Sequence, residues 1–170
     1  MKKYTQEEID KLITFENGGE YMRHIKNMNF DNCDLSNLDL SFIRFINCSF
    51  KGANLEGADL IYTSLEGTDL RGANLRGAYL IYTNLRETNL QGAKLFTTED
   101  GVKYISEVNF DNCNLSNLDL NNVEFINCSF IGTDWRRANL EGINLQEANL
   151  GFKRRWGNIF NKIISILKRK

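Results

Sequence analysis

Residues 53–82 read ANLEGADLIYTSLEGTDLRGANLRGAYLIY and carry a leucine at every fifth position. Apolar residues keep this phase from Ile25 to Leu95, and the phase returns from Phe110 to Leu150. A period of five matches neither the 3.6-residue period of an α-helix nor the two-residue period of a β-strand. The pattern predicts a repeat solenoid, in which each five-residue unit sends one large apolar side chain, the centre of the unit, into a shared core.

Three other positions of the unit also have a consistent chemistry. The residue two before the centre is small or modest in size, most often Ala, Thr or Cys, which predicts a second inward side chain. The residue two after the centre is Gly in eight units and Asn in eight, and both residue types tolerate a positive φ. The residue just before the centre is mostly Asp or Asn, whose side chains can hydrogen-bond the backbone of a turn. We therefore expect each unit to end in a tight turn, with type II geometry.

Longer repeats indicate how the units are arranged in coils. If each unit turns the chain through a right angle, four units close one coil, and LIYTS at 60–64 does return twenty residues later as LIYTN at 80–84. Residues 29–50 and 109–130 are also duplicated, with seventeen of twenty-two residues identical at an offset of eighty. Eighty residues correspond to four whole coils, and the twenty-four units predict about six coils in all.

Several units match the consensus A(D/N)LXX. The clearest are ANLEG at 53–57, ADLIY at 58–62, ANLRG at 73–77, AYLIY at 78–82 and ANLEG at 138–142. In these motifs the chain resembles the pentapeptide-repeat family of bacteria, including cyanobacteria, over about residues 25–150. The resemblance implies an all-β solenoid, a right-handed quadrilateral β-helix. It also implies protein binding rather than catalysis, and some members that protect DNA gyrase look like DNA and compete with it.

The chain divides into five segments. Residues 1–24 form a predicted N-terminal helix with its lead-in, and 25–95 form the first part of the β-helix. Residues 96–109 interrupt the repeat, 110–152 continue it, and 153–170 form a predicted basic helix. Helices at both ends are expected to cover the open edges of the solenoid.

The N-terminal helix is predicted from its first turn. Thr5 and Glu8 have the spacing of a capping box. Apolar residues then follow on one helical side, up to a predicted end at Gly18 and Gly19: Ile9, Leu12, Ile13 and Phe15.

The interruption keeps the five-residue phase but breaks the chemistry of the unit. It places Asp100 at a centre and Lys103 at the small inward position. Because burying either charge unpaired is costly, part of 96–108 is expected to leave the solenoid as a loop. The segment resembles the lead-in at 18–30, which favours a remnant of the duplicated unit over a binding loop.

The net charge of −1 hides a segregation between the ends of the chain. Residues 151–170 contain seven basic side chains and no acidic one, whereas residues 1–150 contain fourteen basic and twenty-two acidic ones. One face of the predicted C-terminal helix is apolar, with Trp156, Phe160, Ile163, Ile164 and Leu167. This helix is interpreted as an intramolecular cap or a homodimer contact, with a membrane surface as the next alternative and nucleic acid as the last.

An outward apolar stripe is the clearest surface anomaly. Phe42, Tyr62, Tyr82 and Val102 stand two residues after a centre and twenty residues apart, and Ile61 and Ile81 flank them. Stacked in one column they form an aromatic ladder. Such a stripe marks either a partner site or the seat of the protein's own helices, and the apolar side of the N-terminal helix slightly favours the second.

Nothing in the sequence indicates a catalytic or metal site. His24 is the only histidine, no C-x-x-C motif occurs, and no pocket with paired carboxylates can be argued, so we expect neither an enzyme nor a cofactor. All four cysteines occupy the small inward position: Cys33, Cys48, Cys113 and Cys128. Free buried thiols are favoured over Cys33–Cys48 and Cys113–Cys128 bridges. Without a signal peptide or a long apolar run, a cytoplasmic protein is expected.

Three functional hypotheses follow. The first is a non-enzymatic scaffold that presents a face or an end to an unknown protein partner. The second is a dimeric DNA mimic that binds DNA gyrase, which is weakened because a basic tail would place positive charge at the dimer centre. The third is a rod attached peripherally to a membrane by its C-terminal helix. Direct binding of nucleic acid is not expected.

Overall fold

Parallel coils of twenty residues make up the molecule. The computed structural model describes residues 1–15, 23–95 and 103–151. Parallel β-bridges join residues twenty apart, as in the series Asn54, Asn74 and Lys94. The predicted coil is thus confirmed, and the fold is a right-handed quadrilateral β-helix with one pentapeptide on each side of each coil.

Regular secondary structure is short. In chain order the elements are helix α1 (Gln6–Leu12) and strands β1 (Thr14–Phe15), β2 (Arg23–Lys26), β3 (Ile43–Ile46), β4 (Lys103–Ser106), β5 (Val123–Ile126) and β6 (Asn144–Gln146). They form two three-stranded sheets, β1-β2-β3 and β4-β5-β6. Only β1 runs antiparallel to its neighbour, and β2 to β6 stack in parallel from coil to coil.

The core is a column of centres on each of the four sides. Phe30 and Phe50 stack with their ring centroids 5.1 Å apart, and Phe45 meets both rings edge-on. The second copy of the duplication repeats this cluster with Phe110, Phe125 and Phe130. Both clusters and the leucines between them are buried, so the predicted inward position of the centres is confirmed.

Every unit whose turn the structure describes has a left-handed residue two positions after its centre, with φ between 53° and 76°. Gly and Asn occupy most of these positions, as predicted. At Gly52 a side chain would also be obstructed, because its Cβ would meet Oδ1 of Asn32 in the coil below. The Asp and Asn residues before the centres cap these turns: Oδ1 of Asp59, for example, accepts the N–H of Ile61 at 2.9 Å.

The register changes across the interruption. Asn84 pairs with Asn109 and Asn89 with Asn114, so the offset here is twenty-five residues rather than twenty. The extra pentapeptide corrects the expectation that the eighty-residue duplication spans four whole coils. The second copy is rotated by one side: Phe110 continues the side of Leu85, which is adjacent to the side of Phe30.

Part of the predicted interruption belongs to the β-helix. Residues 103–106 form β4, which pairs with β5, and Val108 is buried. The solenoid therefore resumes at Lys103, earlier than the boundary at 109 predicted from the sequence. The remaining part, with Asp100 and Val102, lies outside the described residues.

The N-terminal segment packs on the first coil. Lys3 bridges Asp34, the side chain of Gln6 bonds both backbone groups of Asp39, and Ile9 is fully buried. Thr5 and Glu8 form the predicted capping box. The helix ends at Leu12 and not at Gly18, because the chain turns into β1 and pairs with β2.

Candidate protein-interaction surface

One side of the solenoid, here called the aromatic side, carries most of the exposed large apolar residues. Its centres are Leu40, Leu60, Leu80, Ile105, Phe125 and Leu145. The ladder residues Phe42, Tyr62 and Tyr82 lie here with 54%, 52% and 47% of their surface exposed. Beside them Ile61 is half-buried and Ile81 is exposed, so the structure brings together all five residues that the sequence predicted for this surface.

The three ladder rings are stacked. The centroids of Phe42 and Tyr62 are 5.1 Å apart with an interplanar angle of 20°, and those of Tyr62 and Tyr82 are 4.6 Å apart at 15°. The ladder ends there, because the twenty-five-residue offset places Glu107 rather than Val102 in the column beyond Tyr82. The result is a flat, ordered aromatic strip three coils long.

These rings occupy positions that suit Gly or Asn. Phe42, Tyr62 and Tyr82 have φ of 56°, 56° and 60°, in the left-handed region that costs a bulky residue about 1–2 kcal/mol. A stacked aromatic pair returns about 0.5–1.5 kcal/mol beyond the area it buries. The stack therefore only offsets the strain, and the fold gains little from aromatic residues at these turns.

Two further tyrosines extend the surface and were missed in the sequence. Tyr79 is 59% exposed and Tyr104 is 64% exposed, each one residue before a centre of the aromatic side. The offset of twenty-five residues places Tyr104 in the column of Tyr79. The AYLIY motif was the available signal for Tyr79, whereas Tyr104 could be assigned to this column only with the register known.

Tyr79 also takes the place of a turn-capping residue. At the equivalent position of the preceding coil, Asp59 accepts the N–H of Ile61, and Asn74 in the preceding unit accepts the N–H of Arg76. A phenol cannot make this local bond to the N–H of Ile81. Both the ladder and Tyr79 thus replace residues that the fold would prefer, which is a pattern typical of residues kept for binding.

The aromatic side is acidic around its apolar middle. Its outward positions, namely those just before, just after and two after each centre, hold five acidic residues: Asp39, Asp59, Glu107, Glu124 and Glu147. None of these outward positions carries a basic residue within the described coils. At the N-terminal border the guanidinium of Arg23 bonds the carbonyl of Ser41 and pairs with Asp10 at 3.4 Å.

Charges on the neighbouring sides are of mixed sign. Arg71 forms a two-pronged ion pair with Asp69, and Arg136 does the same with Asp134. Hydrogen bonds from these arginines lower the pKa of both aspartates. These local pairs are structural features of exposed turns and do not form a continuous charged track.

The cysteines offer no chemistry to this surface. All four are free and buried, in agreement with the favoured prediction. Burial raises the pKa of Cys113 and of Cys128 to about 11, so both thiols stay protonated at neutral pH. Among the described residues no cluster of His, Cys, Asp and Glu could hold a metal ion.

The predicted helices have different relations to this surface. The buried Ile9 of α1 packs near the first coil while the ladder rings stay half-exposed, so α1 does not cover the ladder. The C-terminal candidates lie outside the described residues: Trp156, Phe160, Ile163, Ile164 and Leu167. In the part of the chain that is described, no helix is long and apolar enough to cross a membrane.

Comparison with solved structures finds other proteins of pentapeptide repeats. A trypsin-treated form of QnrB1, a plasmid-mediated fluoroquinolone resistance protein, is 20% identical, with 88% of this chain and 92% of that chain covered and a TM-score of 0.45. A protein from the Arabidopsis thaliana thylakoid lumen is 19% identical, with 83% and 75% covered and a TM-score of 0.43. The protein alr5209 from Nostoc PCC 7120 is 31% identical, with 61% and 85% covered and a TM-score of 0.41. No curated protein matches the chain.

A family model assigns the repeats directly. The model described as Pentapeptide repeats matches eight copies, within residues 29–67, 39–77, 58–95, 105–142 and 124–152. These matches cover most of the chain and coincide with the coils seen in the structure. The chain belongs to the pentapeptide repeat family.

Proposed function

We propose that the protein is a non-enzymatic scaffold that binds a protein partner through its aromatic side. The observation that carries the proposal is Tyr79, a half-exposed aromatic residue at a position where the fold prefers a turn-capping Asp or Asn. The strained ladder beside it supports the same conclusion, because neither feature improves the solenoid.

The composition and rigidity of the surface suit protein binding. Tyrosine is enriched at the energetic centres of protein interfaces, since its ring buries a large area and its hydroxyl makes a hydrogen bond. Here Tyr62, Tyr79 and Tyr82 stand on turns tied to the next coil by backbone hydrogen bonds. A surface already ordered before binding loses little entropy when the partner docks.

The electrostatics favour a scaffold over a DNA mimic. A mimic needs a continuous negative track along one side of the rod. On the aromatic side the acidic column that starts with Asp39 and Asp59 is broken by Tyr79 and Tyr104 before it resumes at Glu124. No observation on the other described sides favours gyrase as the partner.

We also place the protein in the cytoplasm. The support for this is that its four thiols are free, as is usual in a reducing compartment. Fractionation of native cells with an antibody against the protein tests the location, and recovery from an oxidising compartment or a membrane fraction would contradict it.

Site-specific photo-crosslinking in native cells tests the binding surface. The photoreactive residue p-benzoylphenylalanine replaces Tyr62, and in a matched control it replaces Gln91, an exposed residue on another side. We expect a discrete protein adduct from position 62 that is absent from position 91 and lost when Tyr79→Asn is added. The same adducts from both positions, or none from position 62, would overturn the proposal.

A further inference from the structure

The aromatic side is complementary to one segment of the same chain. Its outward positions are apolar in the middle and acidic toward both ends, with no basic residue in the described coils. Residues 153–170 have the opposite character: seven basic side chains, no acidic one, and apolar residues at helical spacing. A basic helix with one apolar face is the class of ligand that an acidic, aromatic strip recognises.

The dimensions allow the segment to reach the strip in its own molecule. The described chain ends at Gly151, four residues after Glu147, which closes the last row of the aromatic side. At about 4.8 Å per coil, Tyr82 lies about 14 Å and Phe42 about 24 Å from the row of Glu147. Eighteen residues in a helix span about 27 Å, so residues 153–170 match the length of the side from its C-terminal end to the ladder.

We propose that residues 153–170 bind the aromatic side of the same molecule and thereby compete with the protein partner. This inference rests on the proposed function, because it treats the same surface as the binding site. The apolar residues, with Trp156 and Phe160 among them, would pack on the ladder, and the lysines and arginines would face the acidic residues. The solenoid would then carry its own inhibitor, and the partner would have to displace it.

Tryptophan fluorescence of the full chain tests the contact. The chain has two tryptophans, Trp135 and Trp156, and Trp135 is buried in the core, so acrylamide quenching reports mainly on Trp156. We expect quenching in the wild type to be several-fold weaker than in the variant Tyr62→Asn/Tyr79→Asn/Tyr82→Asn. Gln91→Ala, on another side, is the matched control and should quench like the wild type.

The outcomes separate the occupants. Protection of Trp156 that persists on dilution and weakens with added salt supports binding within one molecule. Protection lost on dilution assigns the strip to the segment of a second copy and overturns the proposal. Equal quenching of wild type and ladder variant also overturns it, and protection that requires vesicles of anionic lipid would assign the segment to a membrane.

A charge variant of the full chain distinguishes this inference from the proposed function. Lys162→Glu/Lys168→Glu should release the segment and increase several-fold the adduct formed by the photoreactive residue at position 62. An unchanged adduct would remove the self-inhibition while leaving the partner site in place. The absence of any adduct, with Trp156 still protected, would instead remove the partner and leave a seat for the chain's own helix.

Discussion

Asn84 forms a parallel β-bridge with Asn109, twenty-five residues along the chain, whereas Asn54 forms one with Asn74, twenty residues along. The extra pentapeptide rotates all later units by one side of the solenoid. It places Tyr104 in the column of Tyr79 and ends the aromatic ladder at Tyr82. The composition of the candidate surface thus depends on this single change of register.

Engineered cysteine pairs should report the offset directly. Bridged residues of adjacent parallel strands lie about 4.8 Å apart, within the range of Cα separations that a disulfide spans. Asn84→Cys/Asn109→Cys should therefore cross-link on mild oxidation, as judged by thiol titration and mass spectrometry. The native thiols should not interfere, because all four are buried.

The matched pair Asn84→Cys/Tyr104→Cys has the spacing of a regular coil. We expect it to stay reduced, because residue 104 lies on the neighbouring side of the solenoid. Cross-linking of this pair in preference to the first would show that the solenoid keeps a twenty-residue register throughout.

Local features of the fold could be read from the sequence, and the register could not. Leu75 as a buried centre, Gly52 as a turn and Asp59 as a cap all follow from chemistry within one unit. The end of α1 at Leu12 and the column of Tyr104 depend instead on which distant segments pair. An insertion of five residues leaves the five-residue phase intact, so periodicity gives no sign of it.

Replacing Leu75 with Asp should unfold the central coils. The side chain is fully buried in the column of centres, and an unpaired carboxylate there costs several kcal/mol. We expect a loss of about 4 kcal/mol or more in the free energy of unfolding, measured by urea denaturation. Gln91→Asp, at an exposed turn, should change it by less than about 0.5 kcal/mol. An unchanged midpoint for Leu75→Asp would disprove the inward position of the centres.

Tyr79→Asn should stabilise the solenoid while it weakens binding. The amide would cap the N–H of Ile81 as Asn74 caps that of Arg76, and it would reach Asp59 as Asn54 reaches Asp34. We expect a gain of about 0.5–1 kcal/mol in urea denaturation, together with loss of the photo-crosslinked adduct. A clear loss of stability would mean that Tyr79 packs against the protein's own chain.

Tyr62→Asn/Tyr82→Asn separates strain from stacking at the ladder. Asn tolerates the left-handed backbone of both positions, so relief of strain should offset the lost ring stack within about 1 kcal/mol. Tyr62→Ala/Tyr82→Ala is the control, since it loses the stack and keeps the strained backbone, and it should be less stable than the Asn pair. A loss of more than about 3 kcal/mol for the Asn pair would show that the fold itself requires the ladder.

The buried thiols should make the protein sensitive to alkali. Burial raises the pKa of Cys113 and of Cys128 from an ordinary 9.0 to about 11, so the folded state holds these protons more tightly than the unfolded state. Their stabilising effect is complete below the unfolded pKa and is lost as the pH rises through the folded pKa. Each thiol should account for up to about 2–3 kcal/mol of lost stability between about pH 9 and pH 11.

Cys113→Ala/Cys128→Ala isolates this contribution, because Ala fills the same inward position in other units, such as those of Ala53 and Ala73. Lysines and tyrosines titrate equally in both proteins, so the difference between their urea denaturation curves at each pH belongs to the thiols. We expect the wild type to lose more stability than the variant across the alkaline range. Curves that stay parallel up to about pH 11 would show that the two thiols are hydrated in the folded state and not buried in the solenoid.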